Sequence, residues 1–192
     1  MDYIDQLYKS YYPEMTLPLL IIAGILAVLT YLCALGMFRT LRMPRARLRA
    51  FACMTEVLYY YMVLMSTVFT RLKHADMKYN LELFWSYKRA FAGDKGLALE
   101  IVLNMVMFLP MGFLITYVID FIAVFVRKRG FRKAVIRLSL LVGFVCSAAI
   151  EVLQLLLHRG LFEWDDMVSN TIGFLIGAGV YLLVCRCVGR RR

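Results

Sequence analysis

Glu151 with Gln154, Asp165 and Asp166 with Asn170, and Glu100 with Asn104 are carboxylates and amides set at or inside long apolar runs. Two carboxylates in such surroundings can divide acid and base work when their environments differ. Glu151 and Gln154 stand three residues apart, and Asp166 and Asn170 four, so each pair shares one face of a helix. Arg159 lies between the two pairs and is the nearby cation, suited to a phosphate or carboxylate. The catalytic reading makes Glu151, the deeper acid, a proton donor or shuttle. Asp166, nearer water, is then a base or holds a cation. Asn104, Gln154, Arg159, Asp165 and Asn170 bind and orient the substrate. No serine or cysteine nucleophile is paired with a histidine, and His158 reads as a surface residue at a helix end. A divalent cation on Asp165 and Asp166 would rest on one Asp pair, which is a weak signal. No cofactor and no metal-ligand set is legible. The plainer reading is that these groups hydrogen-bond one helix to another, with Asp165 and Asp166 favouring a helix N-terminus. Two carboxylates, two amides and an arginine at one depth are more than such contacts require.

Hydrophobic residues make up 62% of the 192 positions and charged residues 19%, against about 45–50% and about 25% in an average soluble domain. Mean hydropathy is +0.70. These values exclude disorder, collagen-like sequence and a soluble acidic enzyme. A membrane-spanning helix needs about 20 mostly apolar residues. Five runs qualify, over residues 17–38, 51–70, 97–121, 136–157 and 168–187. The fold expected is an all-α polytopic transmembrane bundle. The first 16 residues carry Asp2, Asp5 and Glu14 and no cleavage site of small residues, so the first run reads as a retained anchor. The five cysteines (Cys33, Cys53, Cys146, Cys185 and Cys187) read as buried free thiols.

Net charge is +10, and its distribution predicts topology. Residues 39–49 hold five arginines and no acid, residues 127–137 six Lys/Arg and no acid, and the C-terminus Arg186 and Arg190 to Arg192. The intervening segments mix signs. Lys and Arg split 15 to 8 between the two sets of segments, which places the N-terminus outside and the C-terminus in the cytoplasm. The basic loops then meet anionic inner-leaflet phospholipid, and a nucleic-acid partner is the weaker reading. The carboxylate cluster falls in the outer leaflet, in a polar pocket facing the extracytoplasmic side of a plasma membrane. Residues 71–96, with Tyr79, Trp85 and Tyr87, read as an interfacial segment there. Glu56 and Asp120, near the inner ends of their spans, are expected to reach the interface or pair with arginine.

Gly173 and Gly177 form a GxxxG pair that lets helices approach closely. Pro110, followed by Gly112, removes a donor inside the third span and frees the Val106 carbonyl. The fourth and fifth spans, joined by about ten residues, form an antiparallel hairpin. There are no internal repeats.

Three stretches resemble the VanZ-like family of small bacterial membrane proteins. Asn104-Met-Val-Met-Phe108-Leu-Pro110-Met-Gly112 is similar to its Asn-x3-Phe-x-Pro-x-Gly run. Ser147-Ala-Ala-Ile150-Glu151-Val-Leu-Gln154 is similar to its Ser-x2-Ile-Glu-x2-Gln run. Arg159, Asp166, Asn170, Gly173 and Gly177 follow its Arg…Asp-x3-Asn-x2-Gly-x3-Gly run. Asn80, Leu81 and Phe84 fit a further family stretch, with Leu83 in place of its proline. The resemblance implies an N-terminal unit over residues 1–50 (outer segment, first span and basic loop) and a VanZ-like four-helix membrane domain over 51–192. It implies a cell-envelope role and resistance to lipoglycopeptides such as teicoplanin, without naming a reaction. The function expected is action on, or binding of, an outer-leaflet lipid or lipid-linked wall component. The alternatives are a non-catalytic surface-shielding protein and a small lipid-transporter accessory.

Overall fold

The computed structural model of the chain describes residues 17–71, 73–125 and 131–189. Its elements are α1 (Leu17–Thr40), α2 (Ala46–Leu64, continued by a π-helical turn Met65–Phe69), β1 (Tyr79–Asn80), α3 (Trp85–Phe91), α4 (Lys95–Phe125), α5 (Phe131–Leu156), β2 (Phe162–Glu163) and α6 (Trp164–Gly189). Five stretches are long and apolar enough to cross a membrane: Leu17–Thr40, Ala46–Phe69, Lys95–Ile119, Ala134–Leu156 and Trp164–Cys187. They coincide with the five predicted runs to within about a helical turn, and the fold is an all-α polytopic bundle. In hydrocarbon the backbone must satisfy its own hydrogen bonds, which makes each of these runs helical.

Small residues set the closest approach in the bundle. A Cβ at Gly112 would collide with the Phe174 backbone carbonyl, one at Gly173 with that of Met105, and one at Gly177 with that of Leu109. The GxxxG face of α6 therefore lies against α4, backbone to backbone. Gly143 on α5 makes room for the Phe174 ring, so α6 is wedged between α4 and α5. The core there is Val63, Val68, Phe108, Met111, Ile150 and Phe174. α4 runs on through Pro110.

Three consecutive tyrosines of α2 tie it to three neighbours. Tyr59 donates its hydroxyl to the Met107 carbonyl of α4 (2.9 Å), Tyr60 to the Cys146 carbonyl of α5 (3.1 Å) and Tyr61 to the Leu19 carbonyl of α1 (3.1 Å). Successive helix residues point about 100° apart, so adjacent positions reach different helices. α1 packs on α2 through Ala34, Phe38, Met43 and Ala50. Leu20, Ile21, Ile25, Leu29 and Leu32 form its exposed apolar surface.

Some expectations are corrected. Arg49 turns into the bundle, where Nη1 donates to the carbonyls of Tyr117 (2.7 Å) and Val118 (3.2 Å) and the guanidinium lies over the Tyr117 ring. Glu56 does not reach the interface. Both its carboxyl oxygens are buried beside Cys53, Tyr59 and Cys146, with no hydrogen-bond partner among the described residues. All five cysteines are free, but Cys33, Cys185 and Cys187 lie on the outer surface of the bundle. The acidic first 16 residues, the Asp120 side chain, the tip of the second basic loop and Arg190 to Arg192 lie outside the described residues.

Candidate functional site

At the end of the bundle where α5 stops and α6 begins, residues 73–91 fold over the helix ends. β1 pairs with β2 in parallel, Tyr79 opposite Phe162 and Asn80 opposite Glu163. Lys73 and Arg159 form an antiparallel bridge. α3 is fastened by α6. Asp165, which is 1% exposed, accepts the backbone N–H of Phe84 on one oxygen. On the other it accepts the Ser86 N–H (2.9 Å) and the Ser86 hydroxyl (2.7 Å). A carboxylate at orphan N–H groups is the favoured complement of a helix N-terminus. Here it arrives from another helix, because the capping position is Phe84 itself. The Tyr87 and Ser169 hydroxyls meet at 2.7 Å, and the Trp85 indole donates to Glu163 Oε1 at 2.8 Å.

Beneath this cover the predicted residues gather from three helices. Glu151 of α5, also 1% exposed, accepts the Glu163 backbone N–H at 2.9 Å. Asp166 of α6 accepts from the Asn104 amide of α4 at 2.8 Å. Gln154 donates to the Thr67 carbonyl in the π-helical turn (3.0 Å), and Asn170 donates to the Ser147 hydroxyl (2.9 Å). The amide oxygens of Gln154 and Asn170 are buried and have no partner among the described residues. Asn170 sits deeper than Asp166, by one turn of α6. Pro110, Gly112, Gly173 and Gly177 belong to the α4–α6 seam rather than to the cluster.

Arg159 is occupied elsewhere. Its guanidinium Nη1 donates to the backbone carbonyls of Phe69 and Arg71, closing the carboxyl end of α2. A cation at helix-terminal carbonyls is electrostatically favoured. The cation of the cluster is Arg71, which the sequence reading passed over. A Cβ at Gly160 (φ +103°) would lie 3.0 Å from Arg71 Nη1 and 3.4 Å from the Gln154 amide carbon. That glycine therefore lets the guanidinium in beside Gln154. The charge of Arg71 is felt at Glu151, Glu163 and Asp166. Its place at the outer end of the second predicted run, level with Glu151, is the signal that could have found it.

A family model described as VanZ/LLP1 matches residues 50–185. The chain belongs to the VanZ/LLP1 family. The resemblance expected from the three motifs is thereby borne out, and the matched segment contains every residue of the cluster. α1 precedes it. No curated protein and no solved structure showed significant similarity to the chain.

The chemistry open to this VanZ/LLP1 site follows from its charge balance. Glu100 acts electrostatically on Glu163 and Asp166, and Asp166 on Glu151. Three acids, Glu151, Glu163 and Asp166, thus share the charge of one arginine. Glu163 lies outside the spans, and burial, then the Glu100 and Asp165 charges, push its carboxyl up to about 7, against the Trp85 hydrogen bond and the Arg71 charge. A carboxyl so placed exchanges protons near neutrality. Asp165 faces α3 whereas Asp166 faces Asn104 on α4, so the two do not present a joined pair to a cation. Among the described residues no group of three or more His, Cys, Asp or Glu side chains is arranged to hold a metal ion.

Proposed function

We propose that this VanZ/LLP1 protein works in the bacterial cell envelope by binding, and chemically acting on, an outer-leaflet lipid or lipid-linked wall component at the cluster of Glu151, Glu163 and Asp166. In so doing it lowers susceptibility to lipoglycopeptide antibiotics such as teicoplanin. The carrying observation is that Glu151, Glu163 and Asp166 gather within electrostatic reach of Arg71 at the end of three spanning helices, with the buried amide oxygens of Gln154 and Asn170 left without a partner among the described residues. A buried amide oxygen without a partner costs about 1–3 kcal/mol, and a ligand group that donates hydrogen bonds would relieve it. The alternating charge of the loops favours an extracytoplasmic position for this end. In this reading Glu151, sealed by β2, holds or passes a proton. Asp166, fixed by Asn104, is the base, and Arg71 holds an acidic group of the ligand beside Gln154.

Binding without turnover is the second reading. The open amide oxygens of Gln154 and Asn170, each held in place through its own NH2 group, suit a preformed recognition site. Glu151→Gln separates the two, since it keeps the shape and removes the titrating group. Cells with matched membrane levels of wild type and variant are compared for binding of labelled teicoplanin. Proton-transfer chemistry predicts that the variant loses its effect altogether. Recognition alone predicts a loss of a few-fold. Protection equal to wild type contradicts both.

A further inference from the structure

Beside the cluster, and sharing none of its acids, opens a cleft of about 570 Å³ lined by Lys73, His74, Ala75, Leu156, Leu157 and His158. Its volume lies within the roughly 300–1,000 Å³ of small-molecule sites. The lining includes both histidines of the chain and a lysine, and no carboxylate. The walls are braced. The His74 N–H donates to the His158 carbonyl at 2.8 Å, and Lys73 bridges to Arg159. His158 Nδ1 lies 3.3 Å from the Ala75 carbonyl oxygen. That contact requires Nδ1 to carry a hydrogen, so Nε2 donates to a phosphate oxygen when the ring is the imidazolium and accepts from a phosphate O–H when it is neutral.

Depth and continuity decide the class of ligand. The span Ala134–Leu156 ends at this cleft. Leu141, Val145, Val152 and Leu156 are exposed on one face of α5 at helical spacing, and that apolar stripe runs up to the cleft. A basic notch at the hydrocarbon boundary above an apolar track fits a phosphate that carries acyl chains. A free phosphate would use the notch and leave the track bare. We propose that this cleft binds the phosphate of a glycerophospholipid, held by Lys73, His74 and His158, with its acyl chains on Leu156 and the stripe below.

Two histidines make the test direct. The full chain, labelled with nitrogen-15 in histidine, is placed in maltoside micelles at fixed pH and titrated with short-chain phosphatidylglycerol. Both imidazole signals are expected to shift and saturate. Lys73→Gln, an exposed position, is expected to weaken the apparent affinity about tenfold, as loss of one charged hydrogen bond would. A matching diacylglycerol, which lacks phosphate, and inorganic phosphate at the same concentration should move neither signal. Unmoved signals with phosphatidylglycerol, equal shifts with diacylglycerol, or an unchanged affinity in Lys73→Gln would overturn the proposal. Equal saturation by inorganic phosphate would overturn the lipid assignment and leave a free-phosphate site.

Discussion

Glu163 holds one end of the cover over the cluster, through its backbone N–H to Glu151 and its carboxyl oxygen to the Trp85 indole. Its carboxyl is raised from 4.5 to about 7 by burial first and neighbouring acids second. Below about 4.5 it is protonated whether the segment is docked or free. As pH rises, the free segment ionises first, so docking weakens progressively and the loss is complete above about 7. Exchange protection of the Trp85 indole N–H should therefore fall across that window, and Glu163→Gln should flatten the profile. Protection that rises with pH would contradict the assignment. At this scale the acids and amides were legible, because an ionisable group in an apolar run is costly and stands out. The identity of the cation was not. Arg159 and Arg71 both flank the site in sequence, and only the fold shows that Arg159 closes α2 while Arg71 enters beside Gln154, within electrostatic reach of Glu151, Glu163 and Asp166. Asp165, named as a binding residue from sequence, has both oxygens engaged by α3.

The helices are arranged around the α4–α6 seam. Gly173 accommodates the Met105 carbonyl, whereas Gly179, on the same helix, has open space at its Cβ position. Gly173→Val should cost about 1–3 kcal/mol by overpacking and lower the unfolding temperature in detergent, while Gly179→Val should leave it close to wild type. Equal temperatures for the two variants would place the seam elsewhere. Span positions were legible because hydropathy alone demands them. The partner of the GxxxG face was not, since small residues announce a close approach without naming the neighbour. The linked Tyr59, Tyr60 and Tyr61 look like ordinary interfacial aromatics until three helices stand around them. β1 and β2, two residues each, are too short to leave a period in the sequence.

For the whole molecule, the charge ladder and the five spans yield an expected orientation, with residues 73–91 outside and the basic segment 39–49 inside. An impermeant maleimide should label Lys88→Cys in intact cells above the level of the parent chain. Arg47→Cys should be labelled only after permeabilisation. The opposite pattern would invert the topology and put the cluster on the cytoplasmic side. The central claim is that the cluster holds an envelope amphiphile, and mass spectrometry of the lipids that co-purify with the protein tests it most directly. Wild type and Glu151→Gln are purified side by side from cells expressing matched levels. A lipid-linked component retained by wild type, and depleted or chemically altered with Glu151→Gln, is the result predicted. Identical lipid profiles for the two proteins would contradict the claim and reduce Glu151 to a structural link between α5 and β2.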